Sequence, residues 1–123
     1  MRRKHREALL KWYDSTGRKP LIIRGARQVG KSTLVRHFCQ ENKITLFEIN
    51  LEKYPQLNEA FKTKNCTYVL EILEDILQVK ILIHPNKKIL FLDEIQACDA
   101  AVSCLRYFYE ELKELPIVCA GSL

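Results

Sequence analysis

Residues 25–32 read Gly-Ala-Arg-Gln-Val-Gly-Lys-Ser, and this stretch constrains the fold more than any other part of the chain. The apolar residues 21–23 precede it, and residues 32–40 have the character of a helix. Glycine has no Cβ, so it allows the backbone to turn tightly and to approach a bound group closely. The sequence therefore predicts a short strand, a glycine-containing loop and a helix in direct succession.

A loop in this position is suited to binding phosphate groups. Its successive backbone N–H groups turn toward the ligand, and the N-terminus of the following helix adds partial positive charge. The segment fits the P-loop pattern G-x-x-x-x-G-K-[ST], in which Lys31 reaches the β- and γ-phosphates and the Ser32 hydroxyl ligates Mg²⁺. The alternative is a glycine-containing turn before an ordinary helix, with Arg27 facing solvent or packing. The predicted ligand-binding residues are Gly25, Ala26, Arg27, Gln28, Val29, Gly30, Lys31, Ser32 and Thr33.

A second motif consists of four apolar residues, 89–92, followed by Asp93 and Glu94. Carboxylates are costly to bury without a cation, so two of them at the end of a buried strand indicate a functional site. Here Asp93 would hold the magnesium complex opposite Ser32, and Glu94 would polarise the water that attacks the γ-phosphate. The alternative is an acidic N-cap that begins the next helix.

The apolar periodicity predicts strands that alternate with helices. Strands are predicted at residues 21–24, 44–50, 89–92 and 117–120, and helices at residues 3–13, 32–41, 67–80 and 100–114, with one helical turn at 59–62. The strands are apolar throughout rather than half-polar, which is typical of a parallel sheet covered on both faces. The expected fold class is therefore α/β.

Composition and charge narrow the choice of partners. The chain carries 20 basic and 15 acidic residues, and much of the excess lies in residues 1–6 and around the P-loop. Positive charge beside a P-loop suits a triphosphate, whereas nothing in the sequence resembles a nucleic-acid reading module. A solvated basic helix end is the favoured interpretation of residues 1–6, with nucleic-acid binding as the alternative. No apolar run approaches the roughly 20 residues of a membrane span.

The five cysteines lack the spacing of a zinc site, and their number is odd. Cys39 falls in a predicted helix and Cys119 in a predicted strand, so both are expected to be small buried apolar residues. Reduced thiols and the lack of a signal peptide favour a cytoplasmic location.

Four phrases together resemble a family. These are residues 23–32 (IRGARQVGKS), 49–52 (INLE), 91–96 (FLDEIQ) and 120–123 (AGSL). They resemble a group of bacterial and archaeal AAA+ ATPases that carry a C-terminal domain of unknown function, and the two motifs correspond to Walker A and Walker B. The resemblance implies a P-loop NTPase fold of the AAA+ type, with ATP and Mg²⁺ as ligands.

The resemblance also implies roles for two further polar residues. Asn50 falls where AAA+ proteins often place a side chain that hydrogen-bonds and restrains the catalytic glutamate. Ser122 falls at the sensor position that orients the attacking water or touches the γ-phosphate. From spacing alone, Asn50 is a strand-terminating turn residue and Ser122 a helix cap. The implied catalytic set is thus Glu94, Lys31, Asn50 and Ser122, and the implied metal ligands are Ser32 and Asp93. Gln96 matches the motif without an assigned chemistry.

The family order of strands is 5-1-4-3-2, and the resemblance ends before the fifth strand. Residues 1–20 are then an N-terminal helix and turn, and residues 21–123 an incomplete AAA+ core, truncated before the fifth strand, the arginine finger, the lid and the C-terminal domain. We expect the first strand to lie at an edge of the sheet. An arginine finger would come from self-association or a protein partner, and hydrolysis by the chain alone would be slow, since such fingers contribute roughly 10³–10⁵ in rate.

Three classes of function remain open from the sequence. The favoured one is a Mg²⁺-dependent ATPase module that uses Lys31, Ser32, Asp93 and Glu94. The second is a nucleotide-binding switch without useful catalysis, and the third is a P-loop protein associated with nucleic acid. A phosphotransferase is less favoured because two carboxylates after four apolar residues indicate water as the acceptor. A GTPase is also less favoured, because the sequence has no N-K-x-D segment to recognise guanine.

Overall fold

A computed structural model describes residues 3–25 and 30–122. The helices are α1 (Arg3–Asp14), α2 (Lys31–Glu41), α3 (Leu57–Lys62), α4 (Cys66–Leu77) and α5 (Asp99–Glu111). The strands are β1 (Leu21–Gly25), β2 (Thr45–Asn50), β3 (Lys88–Asp93) and β4 (Ile117–Ser122). A single turn of 3₁₀ helix, Ile95–Ala97, separates β3 from α5.

The described strands form one four-stranded parallel sheet in the order β1-β4-β3-β2. This confirms the α/β fold class and the 1-4-3-2 part of the strand order that the resemblance implied. In the described part of the chain β1 pairs only with β4, so β1 is an edge strand. The P-loop segment follows this edge strand directly.

Two apolar layers cover the two faces of the sheet. On one face, Val35 and Phe38 of α2 and Leu9 of α1 pack on Phe91 and Ala120. On the other face, α3, α4 and α5 pack on the alternate residues of the strands. Buried strands with apolar residues on both faces are what a parallel sheet between helices requires. The core thus fixes the carboxyl ends of all four strands at one edge of the sheet.

Two helices end earlier than their periodicity predicts. Helix α4 ends at Leu77 because Gln78 adopts a left-handed conformation, with φ of 56°, and its side-chain amide donates to the Asp75 carbonyl. Helix α5 ends at Glu111 because Leu112 leaves the helical region, with ψ of 48°. At the other boundary, α3 begins at Leu57, in a region predicted to be loop. Among the described residues, no helix is both long and apolar enough to cross a membrane.

Candidate nucleotide-binding site

The carboxyl ends of the strands bring four predicted site residues to one edge of the sheet. Gly25, the last residue of β1, lies in register with Ser122, the last residue of β4. Asn50, the last residue of β2, lies in register with Asp93, the last residue of β3. Ligands bind at this edge in open parallel sheets, outside the carboxyl ends of the strands.

Helix α2 begins at this edge with an open N-terminus. Gly30 caps it in the left-handed conformation, with φ of 69° and ψ of 36°, and no side chain caps the helix. The first N–H groups of a helix have no partner within the helix, so they are available to an anion. Gly25 also has a positive φ, 151°, which L-residues rarely adopt. Both glycines of the P-loop pattern therefore occupy conformations that favour glycine. The other predicted ligand residues of the loop, Ala26, Arg27, Gln28 and Val29, lie outside the described residues.

Lys31 is the only buried charged residue in the described part of the chain, with 8% of its surface exposed. Its ammonium Nζ donates to the carbonyl oxygen of Gly25 at 3.1 Å, so the side chain points back toward the end of β1. Ser32 is half-buried in the first turn of α2, and the next residue, Thr33, is exposed. The P-loop lysine and hydroxyl thus lie at the same edge as the strand-end carboxylates.

Asp93 is half-buried at the end of β3. Burial raises the pKa of its carboxyl, and the charges of Glu94 and Glu48 act in the same direction. The Glu94 N–H, which donates to Oδ1 at 2.9 Å, and the charge of Arg36 lower this pKa. Arg36 of α2 is in turn held by Glu48 of β2 through two bonds, Nε–Oε1 at 3.0 Å and Nη2–Oε2 at 2.6 Å. Because burial makes the charged form of the Asp93 carboxyl costly, a cation bound beside it would stabilise that form.

Glu94 follows β3 in a strained backbone conformation. Its φ is 54° and its ψ is 51°, in the left-handed region that non-glycine residues seldom occupy. Such strain occurs where the surrounding structure enforces it, and it clusters at active sites. The Oε1 of Glu94 accepts a hydrogen bond from Nε2 of Gln96 at 2.9 Å. The sequence matched Gln96 to the motif but gave no chemistry, because nothing in the pattern shows which way its side chain turns.

The structure places Asn50 and Ser122 at the predicted edge of the sheet, and their functional roles stay predictions. The Oδ1 of Asn50 accepts the N–H of Glu52 at 2.9 Å, so the side chain closes the turn after β2. That contact is the strand-terminating role that the spacing alone suggested. Ser122 is half-buried and ends β4 beside Gly25.

The residues present fit a magnesium nucleotide. Hydroxyl and carboxylate oxygens, here from Ser32 and Asp93, are ligands that Mg²⁺ prefers. The left-handed Gly30 and the open N-terminus of α2 provide backbone donors for phosphate, and Lys31 provides a charge. A lysine, a hydroxyl and two carboxylates at one sheet edge are a donor set for a phosphorylated ligand with its metal.

Fold and site together define a P-loop nucleotide-binding α/β protein. A sequence profile of the family described as AAA domain matches residues 17–123. The chain belongs to this family, and residues 17–123 form the N-terminal part of an AAA+ P-loop domain. Comparison with curated protein sequences finds no significant match.

Solved structures with a similar fold include two of RuvB from Thermotoga maritima. The first, a point variant of RuvB, superposes with a TM-score of 0.54 at 13% identity, covering 99% of this chain and 38% of that chain. The second, titled the RuvB Holliday junction branch migration motor, has a TM-score of 0.52 at 14% identity, with the same coverage of 99% and 38%. The chain thus spans 38% of the length of these structures, and the likeness at this identity shows the fold alone.

Proposed function

We propose that this chain binds ATP with Mg²⁺ at the edge formed by the carboxyl ends of the strands, and that Glu94 promotes hydrolysis of the bound ATP. The observation that carries the proposal is the position of Lys31, a residue with 8% of its surface exposed whose ammonium donates to the Gly25 carbonyl at the end of β1. The Lys31 ammonium lies at the end of β1, beside the N-terminus of α2, and a phosphate group bound there would be within its reach.

Each residue has a role set by its place in the fold. Lys31 and the N–H groups at the N-terminus of α2 would hold the phosphate chain and neutralise charge as it develops. Ser32 and Asp93 would hold Mg²⁺, which supplies charge neutralisation at the phosphate oxygens when it is bound. Glu94 would accept a proton from the attacking water, in keeping with a carboxylate fixed next to the metal ligand Asp93.

Hydrolysis and binding can be separated by one substitution. In Glu94→Gln the amide accepts protons poorly, so we expect ATP turnover to fall about 100-fold or more while affinity for ATP is retained. The measurements are phosphate release and binding of a fluorescent ATP analogue, both with Mg²⁺. The matched control is Glu71→Gln on the exposed face of α4, which should change neither quantity.

The same experiment distinguishes an ATPase from a nucleotide-binding switch. If the wild-type chain binds ATP but shows no turnover above background, the switch is favoured. If it hydrolyses ATP and Glu94→Gln leaves turnover unchanged, Glu94 is not the base. If the wild-type chain does not bind ATP with Mg²⁺, the proposed function is wrong.

We also propose that a second copy or a protein partner supplies an arginine to the site. Oligomerisation is common among AAA+ domains, and the edge strand β1 leaves one side of the described sheet open beside the site. Light scattering with and without ATP would test this: an ATP-dependent rise in mass accompanied by faster turnover supports it. A monomer whose turnover does not depend on protein concentration contradicts self-association.

A further inference from the structure

The Glu94 carboxylate has a partner that its sequence motif did not indicate. The family resemblance assigned the restraint of this carboxylate to Asn50; the Asn50 Oδ1 accepts the Glu52 N–H, and the described residues show no hydrogen bond from Asn50 to Glu94. The amide of Gln96 donates to Glu94 Oε1 at 2.9 Å. We propose that Gln96 is the positioning residue of the Glu94 carboxylate, an inference that rests on the proposed function of Glu94 as the base.

The backbone between these two residues is fixed. Residues 95–97 form a 3₁₀ turn, in which the Ala97 N–H donates to the Glu94 carbonyl at 3.0 Å and the Cys98 N–H to the Ile95 carbonyl at 3.1 Å. Ile95 is buried, with 5% of its surface exposed, and anchors the turn in the core. The turn therefore fixes the backbone of Gln96 two residues after the strained Glu94, and the exposed Gln96 side chain reaches back from there to the carboxylate.

Gly121 of β4 lies next to the Gln96 carboxamide and to the Ile95 side chain. A Cβ added at Gly121 would lie 2.7 Å from Gln96 Oε1 and 2.8 Å from Ile95 Cγ2, both closer than real Cβ contacts. The carboxamide oxygen of Gln96 therefore rests against the backbone of β4, and its nitrogen is directed to Glu94. Glycine at position 121 thus leaves the space into which the exposed Gln96 carboxamide and the Ile95 side chain extend.

This arrangement divides the two carboxylate oxygens between two tasks. Gln96 holds Oε1 of Glu94, and among the described residues no hydrogen bond engages Oε2, which we assign to the attacking water. A base must lie within hydrogen-bond reach of the proton that it accepts, and a displacement of about 1 Å can cost about 100-fold in rate. Gln96 thus acts through Glu94 and does not itself need to contact the nucleotide.

The test is a double-mutant cycle with Gln96→Ala and Glu94→Ala. We expect Gln96→Ala to lower kcat about 10-fold with an unchanged KM for ATP, and to have no further effect in the Glu94→Ala background. The matched control is Gln40→Ala on the exposed face of α2, which should leave kcat unchanged. A Gln96→Ala effect of equal size in both backgrounds would show that Gln96 acts independently of Glu94, and the inference would be wrong.

A second measurement does not depend on turnover. In NMR spectra of the nucleotide-free chain, Glu94→Ala should shift the Gln96 side-chain amide resonances and leave those of Gln40 in place. Gly121→Ala should shift the same Gln96 resonances, because its Cβ would displace the carboxamide. Unmoved Gln96 resonances in both variants would overturn the inference while leaving the role of Glu94 as a base intact. Unchanged ATP turnover in Glu94→Ala, together with shifted Gln96 resonances, would instead contradict the proposed function alone.

Discussion

Replacing Gly30 by alanine tests whether the left-handed N-cap of α2 serves the ligand rather than the fold alone. The φ of Gly30 is 69°, and a Cβ there would meet nothing described closer than Thr33 Cβ at 4.0 Å. The cost in stability is therefore conformational and not steric. A left-handed L-residue costs about 1–2 kcal/mol. Restricting the unfolded chain by a Gly→Ala change returns about 0.4–1 kcal/mol.

The net expectation for Gly30→Ala is a loss of about 1 kcal/mol in the free energy of unfolding, or roughly 4 °C in Tm for a domain of this size. A matched control exists in Gly17, whose φ is 66° and whose Cβ would have nothing within 4 Å. Gly17→Ala should lose the same stability. Only Gly30→Ala should weaken ATP binding, by about 10-fold or more, because its Cβ would lie at the N-terminus of α2, where the phosphates are proposed to bind.

Urea unfolding gives the two stabilities, and titration with a fluorescent ATP analogue gives the two affinities. Equal weakening of ATP binding in both variants would mean that affinity follows stability and not the local position of Gly30. A Gly30→Ala variant with wild-type stability would refute the assignment of the left-handed conformation. Either result would mean that the proposed phosphate site does not require glycine at position 30.

Three further predictions concern packing, charge and thiols. Phe38→Ala should lower the free energy of unfolding by about 3–5 kcal/mol, because only 1% of Phe38 is exposed. The control Leu10→Ala should change it little, because Leu10 is 41% exposed, and urea unfolding measures both variants. Arg36→Ala should lower the free energy of unfolding by only about 0.2–1 kcal/mol, because its ion pair with Glu48 is partly exposed to solvent. Comparison with Glu48→Ala and with the double variant would isolate the energy of this pair. All five cysteines should react slowly with a thiol reagent at pH 8 in the folded chain and quickly in urea. Burial raises the pKa of Cys119 from its ordinary 9.0 to about 12, and fast reaction of the folded protein would contradict this.

Much of the fold follows from local patterns in the sequence. The apolar run before Asp93 and the run before the P-loop are strands, and the helical periodicity of residues 67–80 indicates α4 correctly except for its last turn. Strand order is not a local property; it came from the family resemblance, and the structure confirms it in the described part. The end of α4 was missed because the left-handed Gln78 has no counterpart in a hydrophobic pattern.

The candidate site was predicted as a set of residue types but not as a set of contacts. Lys31 and Asp93 follow from motif chemistry, and their common edge follows from the parallel sheet. The bond from Gln96 to Glu94 depends on a side-chain rotamer, on the left-handed φ of Glu94 and on the missing Cβ at Gly121. None of these is encoded in residue spacing. Spacing alone made Asn50 a turn residue, and only the family resemblance offered it as the partner of Glu94.

The central claim is that Lys31 binds the phosphates of ATP at the edge where β1 ends. Calorimetric titration of ATP in the presence of Mg²⁺ tests it, with Lys31→Met, which keeps the length of the side chain and removes its charge. The control is Lys80→Met, an exposed lysine after α4. We predict that Lys31→Met weakens ATP binding about 100-fold, in line with losing a charge-assisted contact in a partly buried site, and that Lys80→Met binds like the wild type. Wild-type affinity in Lys31→Met, with the variant folded, would contradict the account.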